Sequence, residues 1–226
     1  MSRIARVVGS MIVLGAVFIP SVAAAQKSGD MTIGIMAGVN YATVNQDPQS
    51  SEVTFAYKVG LVAGAFLGFQ VTPEFSIEPQ ALYSQKGSKV TGTGTNSSLE
   101  GGIRITYIEV PVLGKFWIPV SNTQMRPFVF AGPEVEFKVS CTAEGAILAV
   151  TGSADCDQTG SEIKLKSTDF GATAGAGIQF KAGNQDVRVD ARYTLGLTDI
   201  NDSGDTRKIK NRAFAATVGL GFPLGR

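Results

Sequence analysis

The chain has 226 residues with a formal net charge of +1, and 44% of them are hydrophobic and 17% charged. This near-neutral balance gives no electrostatic reason to expect a nucleic-acid partner. The sequence has no histidine, which removes Ser/His and Cys/His nucleophile arrangements, histidine general catalysis and the usual zinc ligand sets.

The N-terminal segment, residues 1–25, is typical of a signal peptide. Arg3 and Arg6 precede an apolar stretch at residues 7–19, and small residues follow it up to Gln26. That stretch has the length used for export and is short for a bilayer span. An uncleaved membrane anchor is the alternative interpretation. We therefore expect an exported protein whose residues 26–226 form a single barrel domain.

The rest of the chain contains eight stretches in which apolar and polar residues alternate. The gaps between them are long, short, long, short, long, short and long: residues 45–55, 72–74, 90–102, 121–125, 141–167, 182–185 and 199–210. Tight turns on one side and extended loops on the other are typical of a transmembrane β-barrel of the bacterial outer membrane. The sequence thus predicts an all-β fold, an eight-stranded antiparallel transmembrane β-barrel with up-and-down meander topology.

One face of each predicted strand is apolar and carries no charge along the strand body. Lys89, Arg104 and Arg212 share this parity only at strand ends, where a charge near lipid costs little. A water-soluble barrel with its apolar face inward is the alternative, but it would leave many strand glycines on the surface. We therefore expect the apolar face to contact lipid.

The opposite face carries acids and bases in nearly equal number. An eight-stranded barrel is just wide enough inside for side chains to fill it, and unpaired buried charge is costly. We therefore predict a luminal charge network in which Glu78 pairs with Lys115 or Arg126, while Glu109 and Arg192 lie in a second layer. The full set of predicted luminal charges is Glu78, Glu109, Lys115, Arg126, Glu134, Glu136, Lys138, Asp169, Arg188, Asp190 and Arg192.

Four prolines fall inside predicted strands, at Pro79, Pro111, Pro127 and Pro133. Proline cannot donate a ladder hydrogen bond and normally marks an edge or a bulge. Because a closed barrel has no edges, we expect bulges or strand ends at these positions.

The two cysteines, Cys141 and Cys156, both lie in the longest gap. An exported protein meets oxidising conditions, so the sequence predicts a disulfide between them.

Three segments resemble strand signatures of the PorT-like, or "porin family", outer-membrane β-barrel domain of bacteria. They are residues 76–87 (SIEPQALYSQKG), 107–115 (YIEVPVLGK) and 127–133 (PFVFAGP). Shorter motifs follow in the same order: Asp169-Phe170-Gly171, Gly175-Ala176-Gly177, Arg192-Tyr193, Gly196-Leu197 and Lys210-Asn211-Arg212. The resemblance implies an eight-stranded outer-membrane barrel and implies little about activity.

No residue set in the sequence predicts catalysis, a cofactor or a metal. Glu78 and Glu109 could form an acid/base pair, but a luminal ion-pair network is the interpretation we adopt. We expect a non-enzymatic protein of the bacterial outer membrane with a structural or surface-binding role through its extracellular loops. A small porin-like channel is the alternative. The expected partners are outer-membrane lipids and an unknown extracellular ligand, and the expected state is a monomer.

Overall fold

A computed structural model describes residues 28–47, 53–94, 97–121, 124–145, 153–156, 165–202 and 208–224. The predicted signal peptide lies outside these residues and stays a prediction. The strands are β1 (Met31–Asp47), β2 (Val53–Gln70), β3 (Phe75–Gly94), β4 (Ser97–Trp117), β5 (Met125–Gly145), β6 (Ser153–Asp155), β7 (Thr168–Ala182), β8 (Gln185–Gly196) and β9 (Lys208–Leu224). Within the described part of the chain, no helix is long and apolar enough to cross a membrane.

Eight of these strands close into a ring of order β1-β2-β3-β4-β5-β7-β8-β9, in which β9 pairs with β1. Every neighbouring pair is antiparallel, and the three-residue β6 attaches only to β5. The predicted eight-stranded meander barrel is therefore confirmed. The ring has one end with short turns and one with long connections, called here the short-turn end and the long-loop end.

Strands at the long-loop end reach further than the sequence pattern predicts. The gap at residues 90–102 was expected to be a loop, but β3 runs to Gly94 and β4 starts at Ser97, and the two stay paired throughout. That prediction is wrong because the apolar alternation in the sequence ends before the strands do, whereas backbone pairing continues. Threonine is frequent in this segment and, being β-branched, suits such a two-sided polar strand.

The contiguous strands β3, β4 and β5 are consequently the longest, with 20, 21 and 21 residues, while β8 has 12. The difference of eight or nine residues corresponds to roughly 25–30 Å of extended chain. One side of the barrel therefore extends beyond the other at the long-loop end.

The prolines interrupt ladders without shifting them, so the expectation of bulges is wrong for Pro79, Pro111 and Pro133. The pairing of β3 with β4 lapses between Pro79 and Leu82 and then resumes in the same register, and similar gaps lie beside the other two. The missing N–H removes a local bond, yet the closed ring holds the register. Pro127 lies near the start of β5, as expected for a strand end.

The two faces of the barrel differ sharply in chemistry. Large apolar side chains point outward and are exposed, including Val59 and Val218 at 66% and 53%. Polar and charged side chains fill the interior, among them Glu78, Lys115 and Arg188, each at most 3% exposed. A soluble barrel would have the reverse arrangement, so that alternative is wrong.

Candidate functional site

The lumen near the short-turn end centres on the carboxylate of Glu78 on β3. This carboxylate pairs with the ammonium of Lys115 and accepts hydrogen bonds from Arg188 Nη1 at 2.7 and 2.8 Å and from Gln80 Nε2 at 2.7 Å. Aromatic rings cover the cations: Lys115 Nζ lies 4.6 Å from the Phe128 ring centroid. Asp190 supplies a second anion, with its Oδ2 3.8 Å from Arg188 Nε, so two acids face the two buried cations and keep their burial tolerable.

Arg188 reaches Glu78 from the opposite wall of the barrel. In a ring of eight strands, β8 lies four strands from β3 in either direction, so the pair spans the full diameter. The guanidinium carbon also lies 3.6 Å from the centroid of the Phe66 ring. This pairing therefore fills the cross-section at that height.

A second layer follows toward the long-loop end. Arg192 on β8 donates to Asp190 Oδ1 at 2.9 Å and, across the diameter, to Gln80 Oε1 on β3 at 2.8 Å. The prediction placed Glu109 and Arg192 together in a second layer; in the structure Arg192 pairs with the neighbouring Asp190, and Glu109 pairs with Lys86.

Glu109 belongs to a third group around the ammonium of Lys86. Lys86 Nζ lies 2.7 Å from Glu109 Oε1, 2.8 Å from Glu136 Oε1 and 3.7 Å from Glu134 Oε1. The three carboxylates approach within 4.8 Å of one another, a geometry that could hold a metal ion. The Lys86 ammonium already supplies a cation to them.

The predicted network did not include Lys86, although the alternation along its strand places this residue inside the barrel. It lies eight positions after Glu78 on the same strand, and period-two alternation therefore points both side chains inward. Gln80 and Asn211 share their strands' inward parity and were missed because neither is charged.

The fourth layer is built from neutral donors and one acid. Asn211 Nδ2 on β9 donates to Tyr107 Oη on β4 at 3.0 Å and to Asp169 Oδ2 on β7 at 3.0 Å. Strand β4 lies four strands from β9 around the ring, so this contact also spans the diameter. Hydrogen bonds therefore cross the lumen at three heights.

The prediction that Glu78 pairs with Lys115 or Arg126 is confirmed for Lys115, and Arg126 lies elsewhere. Its guanidinium lies 4.3 Å from the Trp117 ring centroid and donates to the carbonyl of Pro73 at 3.2 Å. Arg188, and not Arg126, is the arginine that pairs with Glu78. Lys138 in turn donates to the Leu165 carbonyl at 2.7 Å and so helps hold the long connection against β5.

An apolar cluster caps the lumen at the long-loop end. Cys141 and Cys156 form a disulfide whose sulfurs pack with the other buried members, which are Ile105, Tyr107, Ala143, Leu165 and Ile200. Leu165 and Ile200 come from two different inter-strand connections, and Lys166 N bonds to Ile200 O at 2.9 Å. The cluster, called here the apolar cap, thus joins one residue from each connection at the long-loop end.

Asp199 fastens the edge of the apolar cap. Its Oδ1 accepts backbone N–H bonds from Ile209 at 2.8 Å and Asn201 at 3.0 Å. Partial burial alone would raise the pKa of Asp199, but these hydrogen bonds, with Lys166 and Lys208 nearby, bring the pKa below its ordinary value. The carboxylate is therefore ionised while it holds the connection between β8 and β9.

Residues 24–202 match the family model described as outer membrane protein beta-barrel domain. No curated protein sequence matches the chain.

Three similar solved structures are those of OprG from Pseudomonas aeruginosa, Neisserial surface protein A and Ail, the attachment invasion locus protein of Yersinia pestis. OprG is 14% identical with a TM-score of 0.49, covering 88% of this chain and 98% of its own. Neisserial surface protein A is 11% identical with a TM-score of 0.46, covering 83% and 96%. Ail is 16% identical with a TM-score of 0.40, covering 86% and 99%.

Proposed function

The chain belongs to the outer membrane protein beta-barrel domain family, and from this membership we propose that it is a non-enzymatic, closed barrel that acts through its long-loop end. Its place is the bacterial outer membrane. The lumen is then a structural core, and the long-loop end is the functional surface. The luminal charges stabilise the barrel and have no catalytic role.

The observation that carries the proposal is that polar contacts cross the lumen at three heights. Glu78–Arg188, Gln80–Arg192 and Tyr107–Asn211 each join strands on opposite walls. A hydrated ion would have to separate these partners, and a buried charge left without its partner is costly. The apolar cap adds a second obstruction. Both features favour a closed barrel over a small channel.

The polar pocket at the short-turn end supports the same proposal. Gln70, Ser76, Gln179 and Asp186 contribute to its walls together with Glu78 and Arg188. The first pair that spans the diameter therefore forms part of the pocket wall.

We propose that the long-loop end is extracellular and binds a ligand or stabilises the envelope. Strands β3, β4 and β5 form a paired wall beyond the apolar band, and the disulfide anchors the adjoining connection. Paired strands lose less conformational entropy on binding than free loops do, which suits a recognition surface. The barrel edges are all used in the closed ring, so no free barrel edge favours oligomers, in keeping with a monomer.

Within the family, we propose that the chain belongs with the PorT-like barrels. The support is the order of motifs along consecutive strands, with Glu78-Pro79 on β3, Glu109 and Pro111 on β4, and Pro127 to Pro133 on β5. We also propose that residues 1–25 act as a signal peptide that is cleaved on export.

Conductance in planar bilayers tests the closed lumen. Purified wild-type protein should show no stepwise current, whereas a double variant Arg188→Ala and Arg192→Ala should show current because it removes two contacts across the diameter. The matched control, Arg104→Ala, removes a cation outside these layers and should stay silent. Stepwise current through the wild type would overturn the proposal in favour of the small channel.

A further inference from the structure

The outward face of β9 carries a row of cations where its apolar face ends. Lys208, Lys210 and Arg212 alternate with Ile209, which packs against the apolar cap, and Asn211, which bonds inside the lumen. The three cations therefore point away from the lumen. They continue the exposed face that includes Phe214 and Val218 lower on the same strand.

An aromatic row marks the end of the apolar face directly below these cations. Tyr41, Phe214 and Tyr193 are register partners on β1, β9 and β8, and all three are exposed. Aromatic girdles of this kind lie at the boundary between hydrocarbon and headgroups in transmembrane barrels. Arg212 is two residues beyond Phe214, so its level is that of the headgroups.

The neighbours of the two lower cations are neutral. Arg212 lies opposite Thr43 and Leu195, and Lys210 lies opposite Asn45. Only Lys208 has an acidic register partner, Asp47. Arg212 Nε is shielded from water and has no hydrogen-bond partner among the described residues. The row thus contains two neighbouring cations, Arg212 and Lys210, whose register partners are neutral.

We propose that Arg212 and Lys210 form a binding site for the phosphate groups of a phosphorylated lipid in the outward leaflet. Their Cα atoms are about 7 Å apart along the strand, so the two side chains can converge on one phosphate. A guanidinium offers phosphate a fork of parallel donors, while an ammonium acts as a point charge. Aromatic rings below the cations hold the acyl region of the same lipid. This site goes beyond the proposed closed-barrel function and does not depend on it.

The test measures lipid retained by the folded protein. Wild-type protein is reconstituted into phosphatidylcholine vesicles doped with diphosphorylated lipid A, extracted in mild detergent and examined by native mass spectrometry. The test variant is the double substitution Lys210→Gln and Arg212→Gln. The control, Lys89→Gln with Arg104→Gln, removes the same charge elsewhere at this end, where Arg104 already pairs with Glu144 at 3.1 Å. Heat-dependent gel migration confirms that every variant is folded.

The expected result is that retention by the test variant falls about 25-fold, since each basic residue near an anionic surface contributes about fivefold. The control should retain lipid as the wild type does, and fully dephosphorylated lipid A should not be retained. Loss of retention on adding inorganic phosphate at matched ionic strength would assign the site to free phosphate and overturn the lipid proposal. Equal retention in all proteins, or equal loss in both variants, would overturn the site.

Discussion

Residues inside this barrel are packed by placing large side chains against glycine on the adjacent strand. Phe128 pairs in register with Gly177 and Phe130 with Gly175, and each ring tip occupies the space where a Cβ would lie. The rings in turn contact the buried cations, with Arg192 5.3 Å from the Phe130 centroid. Because glycine has no side chain, it leaves space for these rings, and the rings in turn determine the space left for the charged side chains.

The substitution Gly177→Ala tests this packing. The added Cβ would lie 2.5 Å from Phe128 Cζ and 2.6 Å from the Val189 carbonyl oxygen, and backbone cannot move aside cheaply. Overpacking of this kind costs about 1–3 kcal/mol, measured by reversible urea unfolding in lipid vesicles. Gly68→Ala is the control, since its nearest neighbour is 3.7 Å away. Equal unfolding free energies for the two variants would contradict the packing argument.

The substitution Glu78→Gln tests the buried charge balance. It removes the anion that pairs with both Lys115 and Arg188, which leaves two cations in a closed interior. We expect the free energy of unfolding to fall by about 3–5 kcal/mol in the same urea experiment. Glu74→Gln, in the exposed turn before β3, should change it little. A silent Glu78→Gln would mean that the lumen is hydrated and that the paired core is wrong.

At the scale of elements, a bulge on β5 decides which residues form the apolar cap. Lys138 pairs with Tyr107 but Ser140 pairs with Thr106, so Val139 is an extra residue. The inward parity of β5 changes there, from the even positions of Glu134 and Glu136 to the odd positions of Cys141 and Ala143. Simple alternation would have turned Cys141 outward. The bulge therefore brings the disulfide into the barrel mouth.

The double variant Cys141→Ser and Cys156→Ser tests what the disulfide contributes. The bond closes a loop with a sequence separation of 15 residues, for which chain entropy predicts a loss of up to about 3 kcal/mol in unfolding free energy. Reduced wild type should behave like the variant. Alkylation of unreduced protein should find no free thiol, and two free thiols in freshly extracted membranes would show that the bond is absent from the native protein.

At the scale of the whole molecule, the apolar band and the two unlike ends define an orientation. The short-turn end has compact turns such as the one between β7 and β8, where Gly183 has a φ of 64°. The long-loop end carries the extended strands and the apolar cap. Barrels of this kind keep short turns on the periplasmic side and long loops outside.

Labelling of intact cells tests that orientation. In a background free of Cys141 and Cys156, Asp202→Cys should react with an impermeant thiol reagent, and Asn184→Cys should react only after the outer membrane is permeabilised. Both positions are exposed, so burial does not explain a difference. Labelling of Asn184→Cys alone in intact cells would invert the topology. The unsubstituted cysteine-free protein provides the background signal.

The amino-acid sequence by itself determined the features that arise from local alternation. Period two separated a charge-free apolar face from a charged one, and the rhythm of the gaps indicated eight strands in a meander. The inward direction of Glu78, Lys115 and Arg188 follows from the same parity. These properties depend on neighbouring residues along one strand, and one chain is enough to show them.

Only the tertiary structure decided which luminal groups meet. Glu78 and Arg188 are 110 positions apart and face each other because closing the ring puts β3 and β8 on opposite walls. Strand tilt and register place the two residues at the same height in the barrel, and the alternation of apolar and polar residues along one strand does not determine either of them. The bulge at Val139 and the strand ends beyond the apolar band also depend on the tertiary structure, because backbone pairing with the neighbouring strand determines both.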